Sequence, residues 1–265
     1  SRLAITDDEN PNFSDNHSVI KVSNSLTTLQ ELSKFHRKKS NAKVIGITGS
    51  NGKTTTKELI YSVLSSNFKT ICTPGNFNNH IGLPLSLFEI RHDTEFAIIE
   101  MGANNFGEIA FLTSLCEPDY GYITNFGKAH LEGFIDIDGV IKAKTELYEW
   151  IIKNDKTLLI NGEDKNQKKF DNHKHIMFGC GENFQFNFRE KNNDFVNVLH
   201  DNYLFETKLY GTYNYSNVCA AIALGLEFGI DKNQINQSLK NYQPNNNRSE
   251  IIKIGDKRIV LDAYN

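Results

Sequence analysis

The sequence predicts an α/β protein, with a mostly parallel P-loop-type sheet flanked by helices and a small antiparallel β patch. Three observations predict it. From residue 43 to 161 short apolar runs alternate with helix-compatible stretches, the pattern of parallel strands covered on both faces. The first run breaks at 46–56 into GITGSNGKTTT, a glycine-rich turn that reopens as a helix. From Phe184 the pattern changes to short, partly alternating runs joined by Asn and Asp turns, which suits antiparallel pairing.

Taken in order, Arg2–Thr6 and Ser18–Val22 read as short strands, and Thr28–Lys39 as a helix feeding the first core strand. Residues 1–40 do not look like a complete domain. Strands are expected at Lys43–Thr48, Lys69–Cys72, Glu95–Met101, Tyr120–Thr124 and Thr157–Asn161. Helices fit between them at Lys53–Ser66, His80–Phe88, Gly107–Cys116 and Ile137–Lys153. The antiparallel patch is assigned to Phe184–Phe188, Phe195–His200 and Tyr203–Tyr210. Helices at Tyr215–Phe228 and Lys232–Lys240 follow, then an Asn-rich loop at Asn245–Asn247 and closing strands at Glu250–Ile254 and Arg258–Asp262. No internal repeat is visible.

Composition excludes several functions. The net charge of −3 supplies no basic field for nucleic acid, and no apolar run approaches the length of a membrane span. Cys72, Cys116, Cys180 and Cys219 are widely spaced, with no Cys-x-x-Cys pair. They read as reduced, buried thiols of a cytosolic protein. The chain starts at Ser1 without a Met, so its N-terminus reads as cut or processed.

The chemistry starts at the glycine-rich turn. A strand that opens through glycines into a helix presents backbone N–H groups and a positive helix end to an anion. Gly49, Ser50, Asn51, Gly52, Lys53, Thr54 and Thr55 form this candidate phosphate loop. Lys53 adds a point charge for terminal phosphates, and the Thr54 hydroxyl suits a Mg²⁺ ion. The loop is a variant, because Ile47 stands where the common P-loop spacing requires glycine. Glu100 ends an apolar strand at the edge where parallel sheets bind ligands, so it is a second candidate for Mg²⁺. The alternative is an exposed strand-end carboxylate.

Lys144 is a subtler signal. Ile137, Val140, Ile141, Leu147, Tyr148 and Ile151 form one stripe of a helix, and at roughly 100° per residue Lys144 falls near its centre while Lys142 points away. Such a lysine snorkels to the surface, is paired, or loses its charge. A neutral amine can add CO₂ to become a carbamate, an anionic oxygen ligand for a second metal. His130 lies in a Gly-flanked loop at the same sheet edge and reads as either a structural histidine or a ligand. Asn214 is a candidate helix cap. Asn217 can present its amide to a base edge, Arg248 can meet phosphate, and Asp262 can accept from ribose hydroxyls.

Together these residues resemble the Mur ligases, most closely the branch that adds D-alanyl-D-alanine to UDP-N-acetylmuramoyl-tripeptide. The matching segments are TGSNGKTTTKE (48–58), GNFNNHIGLPLSL (75–87), EMGANNFGEI (100–109), ITNFGKAHLEGF (123–134), KAKTELY (142–148), NYSNVCAAIAL (214–224) and LDAYN (261–265). They run in the family's order over most of residues 43–265. Thr145 stands where the family commonly has Gly, and Tyr213 where many members have His.

The resemblance implies an ATP-dependent amide ligase of peptidoglycan precursor synthesis that works through an acyl phosphate, as a cytoplasmic monomer. It assigns Lys53 to the ATP phosphates, Thr54 and Glu100 to one Mg²⁺, and His130 with a carbamylated Lys144 to a second. It assigns Asn217 to the adenine side, Arg248 to the phosphates and Asp262 to the ribose. It makes residues 1–40 the tail of a uridine-nucleotide-binding domain and 41–265 the central ATP-binding domain. The family's C-terminal domain is expected to be absent, so that the chain binds ATP–Mg²⁺ without ligating alone. Two rival readings stay open. One is another Mur-type ligase or a folylpolyglutamate synthetase-like enzyme, which would share the ATP site. The other is a nucleotide-binding module without chemistry, in which Glu100 does not matter for ATP binding.

Overall fold

The structure, a computed structural model, describes residues 3–9, 18–127, 134–179, 183–189, 195–244, 249–254 and 257–261. Strands β1 (Leu3–Thr6) and β2 (Ser18–Lys21) pair in parallel. They lead into helix α1 (Ser25–Lys39), which starts earlier than the sequence suggests because Asn24 caps it, accepting from the Thr27 N–H at 2.8 Å. Arg37, near the end of α1, donates to the carbonyls of Cys116 and Glu117 and to the Asp119 carboxylate at 3.0 Å. That contact fastens α1 to the sheet that follows.

The main sheet starts with β3 (Lys43–Thr48), which runs into α2 (Lys53–Leu64). After β4 (Thr70–Cys72) come α3 (Gly82–Phe88), β5 (Phe96–Glu100), α4 (Glu108–Cys116), β6 (Tyr120–Ile123), α5 (Ile137–Lys153) and β7 (Thr157–Asn161). A short helix α6 (Lys165–Lys168) precedes β8 (His175–Gly179) and β9 (Phe184–Gln185). These strands form a seven-stranded sheet in the order β4-β5-β3-β6-β7-β8-β9. Each pairing in it is parallel. β10 (Asn187–Arg189), β11 (Phe195–His200) and β12 (Tyr203–Tyr210) make a separate antiparallel sheet. Helices α7 (Tyr215–Glu227) and α8 (Lys232–Asn241) follow, and β13 (Glu250–Ile254) pairs antiparallel with β14 (Lys257–Leu261).

The expected α/β architecture is present, with two corrections. Residues 184–188 are not one antiparallel strand. Phe184–Gln185 closes the edge of the parallel sheet, and the chain joins the antiparallel sheet only from Asn187. The strand at His175–Gly179 carried no expectation at all, because its apolar centre is three residues (Ile176, Met177, Phe178), too short to separate from a loop by periodicity.

Residue alternation builds two cores. Ile45 and Ile47 of β3, Ile98 of β5 and Tyr122 of β6 face Leu59, Ile60 and Val63 of α2 and the apolar stretch of α7. Val44, Ala97, Ile99 and Ile123 face the opposite way, against α3, α4 and α5. A sheet buried on both faces needs apolar residues at both parities, which is how these strands read. β3 lies between β5 and β6, so the chain crosses over β3 between β5 and β6. The carboxyl ends of β3, β5 and β6 meet there, at a topological switch point where open parallel sheets bind ligands. Among the described residues no helix is long and apolar enough to cross a membrane.

Candidate functional site

The turn from β3 to α2 is built on two glycines with positive φ, Gly49 (+140°) and Gly52 (+77°). Both are also sterically required. A Cβ at Gly49 would collide with Thr124 Oγ1, and one at Gly52 would stand 2.8 Å from Asn217 Oδ1. The loop is tied to the end of β6: Ser50 N–H donates to Asn125 O at 3.1 Å, and Thr124 Oγ1 donates to Asn51 O at 2.5 Å. Ser50 Oγ donates to Gly127 O at 2.9 Å. A loop held this way costs little further ordering on binding an anion.

At the start of α2, Lys53 Nζ donates to the carbonyls of Gly49 (2.8 Å) and Ser50 (3.1 Å), within its own loop. Thr54 Oγ1 donates to Glu100 Oε2 at 2.9 Å. Glu100 is 1 % exposed, so it is not the solvated strand-end carboxylate that the alternative required. Its second oxygen accepts from Asn78 Nδ2 at 2.8 Å, and its N–H donates to Thr73 Oγ1 at 2.9 Å. Lys57 Nζ stands 3.4 Å from Glu100 Oε2.

Of these residues, Lys53, Thr54, Asn78 and Glu100 line one wall of a cleft of about 1160 Å³ over the sheet's carboxyl edge. Residues 50–55 and Glu100 line it, and Tyr213, Asn214, Asn217 and Ser249 line it too. Asn214 does not cap α7 with its side chain, contrary to expectation. Its Nδ2 donates instead to Tyr210 O and Ser249 Oγ, and its Oδ1 accepts from Asn217 Nδ2 at 3.0 Å. Asn217 Oδ1 accepts from Thr56 Oγ1 at 3.0 Å. That contact locks α7 to α2 beside the glycine loop at 49–52. Tyr213 shares a 2.9 Å hydrogen bond with Ser249 Oγ.

Lys144 is 2 % exposed, as its place on the apolar stripe of α5 demands, whereas Lys142 is exposed. Its Nζ lies 3.4 Å from the Ala103 carbonyl and 5.3 Å from the Phe134 ring centre. Burial, helped by the nearby Lys53 charge, pushes its pKa down to about 8, against the pull of Glu108 and Glu146. Ala103 lines the cleft, so Lys144 sits directly behind that wall. Thr145 bonds back to Lys142 O at 2.9 Å and leaves α5 continuous.

His130, Arg248 and Asp262 lie outside the described residues, as does Cys180. Of the remaining thiols, burial raises Cys72 to about 11 and Cys116 to about 12. Neither is poised as a nucleophile.

Sequence reasoning missed Lys57, Asn78, Thr73 and Asn214's actual role. Lys57 was findable: it precedes Ile60 and Leu64 by three and seven residues, the same stripe argument that singled out Lys144. Asn78 and Thr73 sit in loops, where no periodicity marks a side chain that turns inward.

Thr54 and Glu100 supply hard oxygen donors within hydrogen-bond reach of one another, and both line the cleft. That donor set fits Mg²⁺, which is commonly held by one or two protein oxygens plus substrate phosphates. Among the described residues no cluster of three or more His, Cys, Asp or Glu could hold a metal alone. Gly49→Ala should lower stability by about 2 kcal/mol or more, since a strained φ adds to the clash, and abolish nucleotide binding. A denaturant titration and a nucleotide titration of the same variant check both.

Residues 47–225 match the model of the Mur ligase middle domain. The UDP-N-acetylmuramoyl-tripeptide–D-alanyl-D-alanine ligase of Bacillus subtilis is 36% identical over 261 residues, covering 96% of this chain and 57% of its own length. A crystal structure of MurF from Acinetobacter baumannii superposes with a TM-score of 0.86 at 29% identity, over 99% of this chain and 59% of that one. MurF ligase from Thermotoga maritima, in complex with ADP, gives a TM-score of 0.84 at 27% identity, over 100% of this chain and 62% of that one. The chain therefore spans little more than half the length of the proteins it resembles.

Proposed function

This chain belongs to the Mur ligase family, and from that premise we propose that it is the ATP-binding core of a ligase that adds D-alanyl-D-alanine to UDP-N-acetylmuramoyl-tripeptide. Residues 41–265 are the central ATP-binding domain in this reading, and residues 1–40 belong to the uridine-nucleotide-binding domain. The protein works in the cytoplasm, as a monomer, in peptidoglycan precursor synthesis. The observation that carries the proposal is the contact between Thr54 and Glu100 at the foot of a loop cradled by Gly49 and Gly52.

A carboxylate is a poor electrophile, so ATP first converts the acceptor's terminal carboxylate to an acyl phosphate. The backbone N–H groups at the start of α2 and the Lys53 ammonium bind the phosphates and stabilise charge on the phosphoryl group in flight. Thr54 and Glu100 would hold Mg²⁺. When bound, it would offset charge on the phosphate oxygens. The amine of D-alanyl-D-alanine then attacks the acyl carbon, phosphate leaves, and the amide forms without a protein nucleophile. Asn217, with Arg248 and Asp262, belongs to the nucleotide pocket.

Lys144 acts as a carbamate in this account. Its amine, neutral in part near pH 8, attacks CO₂ through nitrogen and gives up a proton to water. The product is an anionic oxygen donor, and with His130 it would hold a second Mg²⁺.

The test is phosphate release by a protein that carries this chain at the relatives' full length, given ATP, Mg²⁺ and UDP-N-acetylmuramoyl-tripeptide. Release driven by D-alanyl-D-alanine and not by single amino acids is expected. Release driven by a single amino acid would assign the site to a different Mur-type ligase.

A further inference from the structure

Lys57 has no part in the chemistry above, yet its side chain is only 1 % exposed. It lies one turn beyond Lys53 on α2, on the inner face. Its Nζ donates to the Gly75 carbonyl at 2.7 Å and stands 3.4 Å from Glu100 Oε2. The same carboxylate oxygen accepts from Thr54 Oγ1 at 2.9 Å, and the other accepts from Asn78 Nδ2 at 2.8 Å. A residue needed only to fill this volume needs no charge, since an apolar side chain avoids the desolvation cost of an ammonium. The two lysines also differ in freedom. Lys53 lines the cleft, whereas Lys57 is closed in beneath Gly75.

We propose, resting on the nucleotide-binding reading, that Lys57 is a positioning residue that balances the charge of Glu100, so that the divalent cation enters only together with the nucleotide phosphates. Glu100 and Lys57 form a neutral pair. A bare divalent cation gains little from that pair and is repelled at close range by the fixed ammonium. The phosphates bring the missing negative charge and further oxygen ligands. Lys57 from α2 and Asn78 from the segment after β4 also grip the carboxylate from two sides. Its orientation is therefore set before any cation arrives.

Mn²⁺ is the probe, followed by calorimetry and by the paramagnetic resonance of the free ion. In the native chain its affinity should be about 100-fold weaker without nucleotide than with saturating ADP, the range expected when a neutral pair replaces a phosphate-ligated site. Lys57→Met should raise the nucleotide-free affinity by about 10-fold or more, whereas Lys57→Arg, which keeps the charge, should leave it unchanged. Equal Mn²⁺ affinity with and without ADP in the native chain overturns the proposal, and that arm needs no variant to fold. Equal nucleotide-free affinity in the native chain and Lys57→Met overturns it as well. Failure of ADP to bind under any condition is a separate result, which removes the nucleotide-binding reading and this proposal with it.

Discussion

Lys53→Ala should weaken ATP and ADP binding by about 10- to 100-fold, the loss expected for one or two hydrogen bonds from a charged donor. AMP, which lacks the terminal phosphates, should bind the variant and the native chain alike. Lys53 Nζ rests on the Gly49 and Ser50 carbonyls, a geometry that a terminal phosphate can draw outward into the cleft. In a protein of the relatives' full length, phosphate release should fall further, by about 100- to 1,000-fold, because the ammonium serves the transferring phosphoryl group more than the ground state. Glu100→Ala sharpens the point. If the site is a ligase centre, that variant loses the Mg²⁺-dependent part of ADP binding. A nucleotide-binding module without chemistry would be indifferent to it.

Lys144→Met should stabilise the chain near neutral pH in CO₂-free buffer and at the same time remove the amine on which the proposed carbamate would form. The folded pKa of about 8 lies below the ordinary 10.5. Between those values the unfolded chain binds more protons than the folded one, so stability rises with pH across that window. Below about pH 8 the full cost of the buried ammonium is present. The variant should therefore be more stable by on the order of 3 kcal/mol at pH 7, and its advantage should shrink as pH rises from 8 to 10.5. Paired urea titrations at pH 7 and pH 10 check the sign. With isotopically labelled bicarbonate, a carbamate resonance should appear in the native chain as pH rises through 8 and be missing in Lys144→Met. A native chain without that resonance would leave the cost of burying Lys144 unexplained by carbamate chemistry.

Much of this was legible in the sequence, for reasons that differ by residue. β3 and β5 read as strands because both of their faces are apolar, and the phosphate loop read as a loop because only glycine suits its positive φ at 49 and 52. Lys144 was legible because a charge at the centre of an apolar stripe must snorkel to the surface, find a partner or lose its charge. Lys57 posed the same choice on a shorter stripe. β8 was not legible, since its strand character comes from pairing with β7 and β9 rather than from its own residues. The role of Asn214 was hidden for a related reason. Its partners, Tyr210 and Ser249, lie on either side of α7 in the chain and meet it only in the fold.

The most direct test of the account is a calorimetric titration of this chain with ADP, with and without Mg²⁺. Saturable binding of one ADP per chain, tightened by Mg²⁺ in the native protein but not in Glu100→Ala, is the predicted result. Binding that ignores both Mg²⁺ and Glu100, or no binding at all, would contradict the claim that Thr54, Glu100 and the loop before α2 form the nucleotide centre of a ligase.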